Sequence, residues 1–134
     1  MAAIESICVS KQKGERKRPV PSALFVSNHG IQGDAHTGPW HRQLSLLAIQ
    51  DINEVRRRLP DLQDGDFAEN LIVSGMDFGD LGLGSILRLG GETELRITQI
   101  GKTCHAPCQI FHLTGDCIMP RLGLFARVTR GGPV

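Results

Sequence analysis

The chain has 134 residues, of which 40% are hydrophobic and 22% are charged, and this composition predicts one compact domain over residues 1–134. Fifteen Lys and Arg residues against 14 Asp and Glu residues give a net charge of +1, which argues against a nucleic-acid-binding protein. Because the sequence contains neither a secretory signal nor the ~20 apolar residues of a membrane helix, we expect a cytoplasmic protein that has no membrane partner.

Short apolar segments separated by glycine and proline predict a mainly β fold with minor α structure. The predicted strands cover residues 4–10, 20–26, 43–47, 71–74, 82–89, 93–100 and 124–129. A helix is predicted over residues 48–59, because apolar residues recur there at helical spacing and Pro60 follows. Gly90 and Gly91 predict a hairpin. Seven or so short strands with one or two short helices are typical of a closed or nearly closed β-barrel.

Two polar loops are candidates for binding an anion. Residues 11–18 form a basic run that includes Lys13; such a run is usually a solvated loop, although its glycine would let the backbone approach a phosphate. Residues 33–43 combine an aspartate, the histidines His36 and His41, and Arg42 beside glycines. This second loop fits either an anionic ligand or a hydrated turn.

The four cysteines are distributed unevenly along the chain. Cys8 stands alone in an apolar strand, which predicts a small buried hydrophobic side chain. Cys104, Cys108 and Cys117 lie close together, and His105 is near enough in sequence to favour a thiolate. A thiolate carries sulfur as a persulfide or binds a soft metal, so this cluster is the candidate catalytic site.

Zinc is the competing interpretation of the same segment. Three cysteines with His105 or His112 would supply the four ligands of a structural zinc site. Paired Cys-x-x-Cys knuckles are absent, however, and the flanking strands supply a core without metal. A zinc-stabilised structural domain is therefore the less favoured alternative.

Taken in order, these segments resemble the MOSC family, named for the C-terminal domain of molybdenum-cofactor sulfurases. The matching pieces are KG at 13–14, GIQGDAH at 30–36, RQLSLL at 42–47, FAENL at 67–71, the glycine-rich stretch 81–90, PC at 107–108 and RLGLFARV at 121–128. No single piece is specific to this family, but the occurrence of all of them in this order along nearly the whole chain is specific. GKTCH at 101–105 and GDCIMP at 115–120 are similar to a small stand-alone bacterial type.

The resemblance implies a MOSC-type β-barrel that transfers sulfur or binds the molybdenum cofactor (molybdopterin). Cys108 matches the family's cysteine that receives sulfur or ligates molybdenum. Sulfurases carry a pyridoxal-phosphate desulfurase domain, which this chain lacks, so pyridoxal phosphate would act only in a partner cysteine desulfurase. A second partner would be a molybdenum-cofactor biosynthesis protein or a molybdoenzyme.

Supporting roles follow from residue type and position in the family pattern. Cys104 and Cys117 would relay or resolve a persulfide on Cys108. The residues assigned to the cofactor's phosphate are Lys13, His36, Arg42 and Arg121. Asn70 is assigned to the polar edge of the pterin. The alternative is a domain that holds the cofactor without doing chemistry, its cysteines acting as ligands.

Overall fold

The structure is a computed structural model that describes residues 2–13, 15–101, 118 and 122–134. Within them the fold is mainly β with one α-helix, as the sequence predicts. The strands are β1 (Ala3–Val9), β2 (Arg18–Val20), β3 (Leu24–Val26), β4 (Gly30–Ile31), β5 (Leu44–Ala48), β6 (Leu71–Ser74), β7 (Ile86–Leu89), β8 (Thr93–Ile100), β9 (Leu124–Arg130) and β10 (Gly132–Pro133). Helix α1 spans Ile49–Arg56, and a 3-10 helix spans Phe78–Asp80.

Most of the strands form one large sheet. Its order is β2-β1-β6-β5-β9-β8-β7, and a smaller sheet has the order β10-β3-β4. The central strands β5 and β6 are parallel, whereas the other described pairs are antiparallel. All five residues of β5 are buried, because hydrophobic groups pack against both of its faces.

The prediction of a closed or nearly closed barrel is wrong for the described strands. β2 and β7 are the two edges of the large sheet, and neither of them pairs with a further strand in this part of the chain. β2 has three residues and contains Pro19, which lies opposite Cys8 of β1. A proline has no N–H to donate to another strand, so this edge is poorly suited to closure. The sequence pattern indicates short strands but not which edges meet.

Two strand boundaries also differ from the prediction. The single strand expected at 20–26 is divided into β2 and β3. The strand expected at 82–89 is shortened to β7, because a turn in which the Ser85 amide donates to the Gly82 carbonyl at 3.0 Å precedes it. The hairpin between β7 and β8 is confirmed, with Gly90 at a φ of 58° that glycine adopts without strain.

The hydrophobic core lies on both faces of the large sheet. One group fills the space between the two sheets and includes Phe25 and Ile31 of the small sheet. The other includes Ile52 and Val55, with which α1 packs on the opposite face. No helix in the described part of the chain is long and apolar enough to cross a membrane. The loops that leave this rigid core carry the candidate site.

Candidate functional site

Lys17, in the basic loop, is buried in an ion pair with Asp34. Its Nζ donates to Asp34 Oδ1 at 2.7 Å, to Ser10 Oγ at 3.0 Å and to His36 Nδ1 at 3.0 Å. Both side chains of the ion pair are 0% exposed. The three protons of the ammonium group thus each have an acceptor. The interpretation of this run as a solvated loop is therefore wrong at Lys17.

The Asp34 carboxylate connects the two polar loops. It accepts the backbone amide of Ser10 at 3.1 Å and that of His36 at 3.1 Å. Burial by itself would raise the pKa of Asp34, but its interactions with His36 and Lys17 outweigh burial and hold that pKa well below the usual range. Burial lowers the pKa of Lys17, and the ion pair opposes this shift. The pair is a charged link between the loops.

Trp40 is the point at which the predicted phosphate ligands meet. Lys13 Nζ lies 4.4 Å and Arg42 Cζ lies 4.8 Å from the centre of the Trp40 ring, as in cation–π contacts. The two cations are therefore no more than about 9 Å apart. The Trp40 indole N–H donates to the His36 carbonyl at 2.7 Å. The structure thus brings Lys13, His36 and Arg42 together around one aromatic residue.

Arg42 has an unusual donor at this site. Its Nε is buried and has no hydrogen-bond partner among the residues that the structure describes, and its Cζ also lies 5.8 Å from the centre of the Phe125 ring. A buried donor that lacks an acceptor costs about 1–3 kcal/mol, so native structures rarely leave one unpaired. An anionic oxygen would satisfy the Nε and neutralise part of the local positive charge.

The described residues that flank the cysteine segment are linked to this cluster. The Gly101 amide, just before the segment, donates to the Gly123 carbonyl at 2.8 Å. Gln99 Nε2 donates to the Gly101 carbonyl at 2.7 Å, and Gln99 Oε1 accepts from His41 Nε2 at 2.8 Å. Because His41 lies between Trp40 and Arg42 in the sequence, the two ends of the segment are linked to the cation cluster.

The proposed sulfur chemistry itself lies outside the described residues. The candidates there are Cys104, His105, Cys108, Cys117 and Arg121. Their roles stay predictions, and so does the zinc alternative, whose ligands belong to the same segment. In the part of the chain that is described, no three His, Cys, Asp or Glu residues are grouped so as to hold a metal ion.

Cys8 and Asn70 are buried next to each other in the large sheet, where they hold strands together. Cys8 is fully buried, and burial raises the pKa of its thiol to about 12, which confirms the interpretation as a small hydrophobic side chain. Asn70 is also fully buried, with its amide group bonded to β1 and to β5. It lies away from Trp40 in the contacts that the structure gives, and its assignment to the pterin stays a prediction.

Sequence reasoning assigned no role to Lys17 or Trp40. Lys17 lies in a run of charged residues that is typical of an exposed loop, and its partner Asp34 is seventeen positions away. Trp40 is the only tryptophan of the chain, which is the one signal that could have marked it. Its contacts with two cations depend on tertiary packing that residue spacing does not reveal.

The turn at residues 65–69 packs on the backbone of Lys17. The Lys17 amide donates to the Gly65 carbonyl at 2.8 Å, and Gly65 has a φ of 92°. A Cβ at Gly65 would lie 2.1 Å from the Lys17 carbonyl oxygen, so the approach requires glycine. The Glu69 carboxylate closes the turn by accepting the amides of Gly65 at 3.1 Å and Phe67 at 3.0 Å.

Glu69 predicts a specific pH dependence of stability. Burial raises its pKa from 4.5 to about 7, despite the backbone amides that favour the charged form. The folded state therefore holds a proton that the unfolded state releases between these values, and stability falls as the pH rises from 4.5 to 7. The contribution is on the order of 3 kcal/mol at most.

Chemical denaturation at several pH values would measure this effect. We expect Glu69→Gln to flatten the fall in the free energy of unfolding between pH 4.5 and 7, whereas the exposed Glu92→Gln should leave the profile unchanged. An unaltered slope in Glu69→Gln would show that the buried carboxyl does not titrate in this range.

Comparisons with known proteins identify the fold. A family model described as "MOSC domain" matches residues 33–134. The crystal structure of the YUAD protein from Bacillus subtilis superposes with a TM-score of 0.77 at 23% identity, over 100% of this chain and 91% of that one. YiiM from Geobacillus stearothermophilus gives a TM-score of 0.73 at 20% identity, over 100% of this chain and 71% of that one.

YiiM from Escherichia coli is similar over the same range. Its TM-score is 0.68 at 18% identity, and the match covers 100% of this chain but 65% of that protein. At these identities the solved structures establish a shared fold. No curated protein sequence matches the chain.

Proposed function

Because this chain belongs to the MOSC domain family, which is associated with the molybdenum cofactor, we propose that it accepts sulfane sulfur on Cys108 for cofactor sulfuration or metal-sulfur assembly. The cofactor's phosphate would bind at the cluster of Lys13, Trp40 and Arg42. The observation that supports the proposal is the buried Arg42 Nε, which has no partner within the described part of the chain and lies in a group of cations linked to Gly101, the residue before the cysteine segment.

The cluster has the chemistry that a phosphate monoester requires. Lys13 supplies a mobile point charge, and Arg42 supplies a planar group that can donate two parallel hydrogen bonds. The aromatic faces of Trp40 and Phe125 hold the guanidinium of Arg42, so less freedom is lost when an anion binds. The His36 carbonyl accepts the Trp40 indole N–H, which holds the backbone of this loop beside the two cations.

The sulfur step needs a donor but no added oxidant. The Cys108 thiolate would attack the terminal sulfur of a persulfide on a partner desulfurase, whose pyridoxal phosphate belongs to the partner. A new sulfur–sulfur bond forms as the donor's bond breaks, and the donor cysteine leaves as a thiolate. His105 would favour the attacking thiolate, and Cys104 or Cys117 would receive the sulfur next.

The final acceptor would be the molybdenum cofactor, which when bound would supply the metal centre. Release of the sulfur as sulfide needs two electrons, which Cys104 or Cys117 would supply by forming a disulfide with Cys108. Lys13, Arg42 and His36 would hold the cofactor's phosphate. A molybdenum-cofactor biosynthesis protein or a molybdoenzyme would deliver or receive the cofactor. This order of events makes the chain a carrier between two partners.

Sulfur loading gives the first test. After incubation with a cysteine desulfurase and cysteine, we expect the intact mass of the protein to increase by one or more sulfur atoms that cyanide removes. Cys108→Ser should abolish the increase, while Cys104→Ser and Cys117→Ser should still load. No added sulfur on the unmodified chain would refute the carrier role. If that protein nevertheless retained the cofactor through Cys108, it would act as a cofactor-holding module instead.

Binding of a phosphate ester gives the second test. We expect neopterin monophosphate to bind more tightly than neopterin. Lys13→Met or Arg42→Met should reduce the ratio of the two affinities about tenfold or more, since a hydrogen bond to a charged group contributes about 1.5–3 kcal/mol. Fluorescence reports the site directly, because the chain has one tryptophan and no tyrosine.

A matched control tests whether non-specific electrostatic attraction explains the binding. Arg88, in the edge strand β7, is 81% exposed and pairs with Glu94 at 3.3 Å. Arg88→Met removes the same charge at a residue that makes no described contact with Lys13, Trp40 or Arg42, and it should leave the affinity unchanged. Equal losses in Arg88→Met and Arg42→Met would contradict a localised phosphate site.

A further inference from the structure

We propose that the outer face of strands β7, β8 and β9 is a docking surface for a partner protein that presents an acidic segment. This arginine face consists of Ile86, Arg88, Glu94, Arg96, Arg127 and Arg130. It adjoins the loop of the candidate site, because the hydroxyl of Thr98, two residues after Arg96, donates to the His41 carbonyl. The docking surface does not depend on the sulfur chemistry proposed above.

The strand register places the side chains of the arginine face in two rows. The first row contains Ile86, Arg96 and Arg127, and the second contains Arg88, Glu94 and Arg130. Directly opposed residues point to the same side of a sheet, and so do residues two positions apart in one strand. The intervening residues Leu95 and Val128 are buried in the core between the two sheets. The two rows therefore lie on the opposite face of the large sheet.

The arginine face carries an excess of three positive charges. Arg88 is paired with Glu94 at 3.3 Å, whereas the other three arginines of the face make no ion pair within the described part of the chain. The net charge of the whole chain is only +1, so this face is far more positive than the average surface. Arg96 and Arg127 also lie directly opposite each other, and like charges in that arrangement destabilise a sheet. An acidic partner would remove this repulsion.

The residue types of the face fit an extended acidic segment. All of its cations are arginines, which are enriched in protein interfaces, whereas lysine is depleted there. A guanidinium group can bind a carboxylate through two parallel hydrogen bonds. Ile86 is 57% exposed and adds an apolar contact next to Arg96. Alternate side chains of an extended segment are about 6.8 Å apart, which is also the spacing of the two rows, so one segment can reach both.

Other occupants fit the arginine face less well. It includes no aromatic residue on which a base could stack, which disfavours single-stranded nucleic acid. Recognition of an anionic membrane usually takes a cluster of about four to eight basic residues, more than the three that are left unneutralised here. A second copy of the chain would bring equal charges together. The charge of the face therefore selects an acidic partner.

Titration of isotope-labelled protein with an acidic peptide, followed by backbone amide NMR, tests the surface. The probe is acetyl-Glu-Thr-Glu-Thr-Val-amide, which presents two carboxylates and an apolar side chain on one side, and the neutral reference has glutamine in place of glutamate. We expect the acidic peptide to bind more tightly, with the largest shifts at Ile86, Arg96 and Arg130. Arg96→Gln and Arg130→Gln should each weaken binding about threefold or more. Arg96→Gln should also melt at an equal or higher temperature, because it removes a like-charge contact.

Arg57→Gln is the matched control. Arg57 lies just after α1, its side chain is 78% exposed, and it pairs with Glu54 at 3.4 Å. This variant should bind the peptide as the unmodified protein does. Equal weakening by Arg57→Gln and Arg96→Gln, or equal affinity for the two peptides, would overturn the docking surface.

Three further outcomes would also overturn it. A single-stranded RNA oligomer or phosphatidylserine vesicles could bind through Arg96 and Arg130 more tightly than the acidic peptide, and the face would then serve a different class of partner. If the Trp40 indole N–H signal moved most, the peptide would occupy the phosphate site instead. Binding of neopterin monophosphate is measured separately, so each of these failures leaves the test of the proposed function intact.

Discussion

Replacing Lys17 by methionine is expected to lower the free energy of unfolding by about 3–5 kcal/mol, the usual cost of breaking a buried ion pair. Methionine is similar in length, so packing is largely preserved. The Asp34 carboxylate, however, would stay buried with two backbone amides and without its cation. The Ser10 hydroxyl and His36 Nδ1 would lose the same donor.

Denaturant unfolding at pH 7 would measure this loss. The control is Arg16→Met, one residue earlier in the same loop. Arg16 is 48% exposed and lies 3.8 Å from Asp66, and exposed pairs of this kind contribute little. We expect a change within about 0.5 kcal/mol there. A loss below about 1 kcal/mol in Lys17→Met would mean that Asp34 reaches water once its partner is removed.

The double variant Lys17→Met, Asp34→Asn distinguishes charge from packing. It buries no charge, so it should recover a large part of the stability that Lys17→Met loses, and the two substitutions should be strongly non-additive. If the double variant were less stable than Lys17→Met alone, the loss would come from the shape and hydrogen bonds of these side chains. The buried carboxylate would then not be its cause.

The parts of the fold that depend on local pattern were predictable from the sequence. Residues 94–98 of β8 alternate in burial as they alternate in polarity, and the glycines before the strand specify the hairpin. Helix α1 follows from helical spacing, although it spans Ile49–Arg56 instead of the predicted 48–59. These signals lie within a few residues of one another, so no tertiary information is needed to interpret them.

The pairing of distant residues was not predictable in the same way. Nothing in the basic run distinguishes Lys17, which is buried, from Lys13, which is exposed. The difference arises because Lys17 meets Asp34 across the fold. Likewise, residue type suggested that Lys13, His36 and Arg42 bind phosphate, but their common contact with Trp40 depends on how two loops pack.

Asn70→Ala is expected to cost about 3 kcal/mol or more of unfolding free energy, because the Asn70 amide replaces a backbone peptide between two strands. Its Oδ1 accepts the Ser45 amide of β5 at 3.0 Å, and its Nδ2 donates to the Cys8 carbonyl of β1 at 3.0 Å. The Cys8 amide donates to the Asn70 carbonyl at 2.7 Å, which continues the pairing of β1 with β6. Alanine would leave two buried backbone groups without partners, each at about 1–3 kcal/mol.

Asn70→Asp tests whether the amide donor is responsible. One aspartate oxygen could still accept from Ser45, but the other would face the Cys8 carbonyl, where a donor is required. We expect a loss at least as large as that of alanine, measured by denaturant unfolding at pH 7, and almost none for Asn53→Ala on the exposed side of α1. If Asn70→Asp matched the unmodified protein in stability, the amide could not be the link between β1 and β5, and Asn70 would be available for the ligand role that its place in the family pattern suggests.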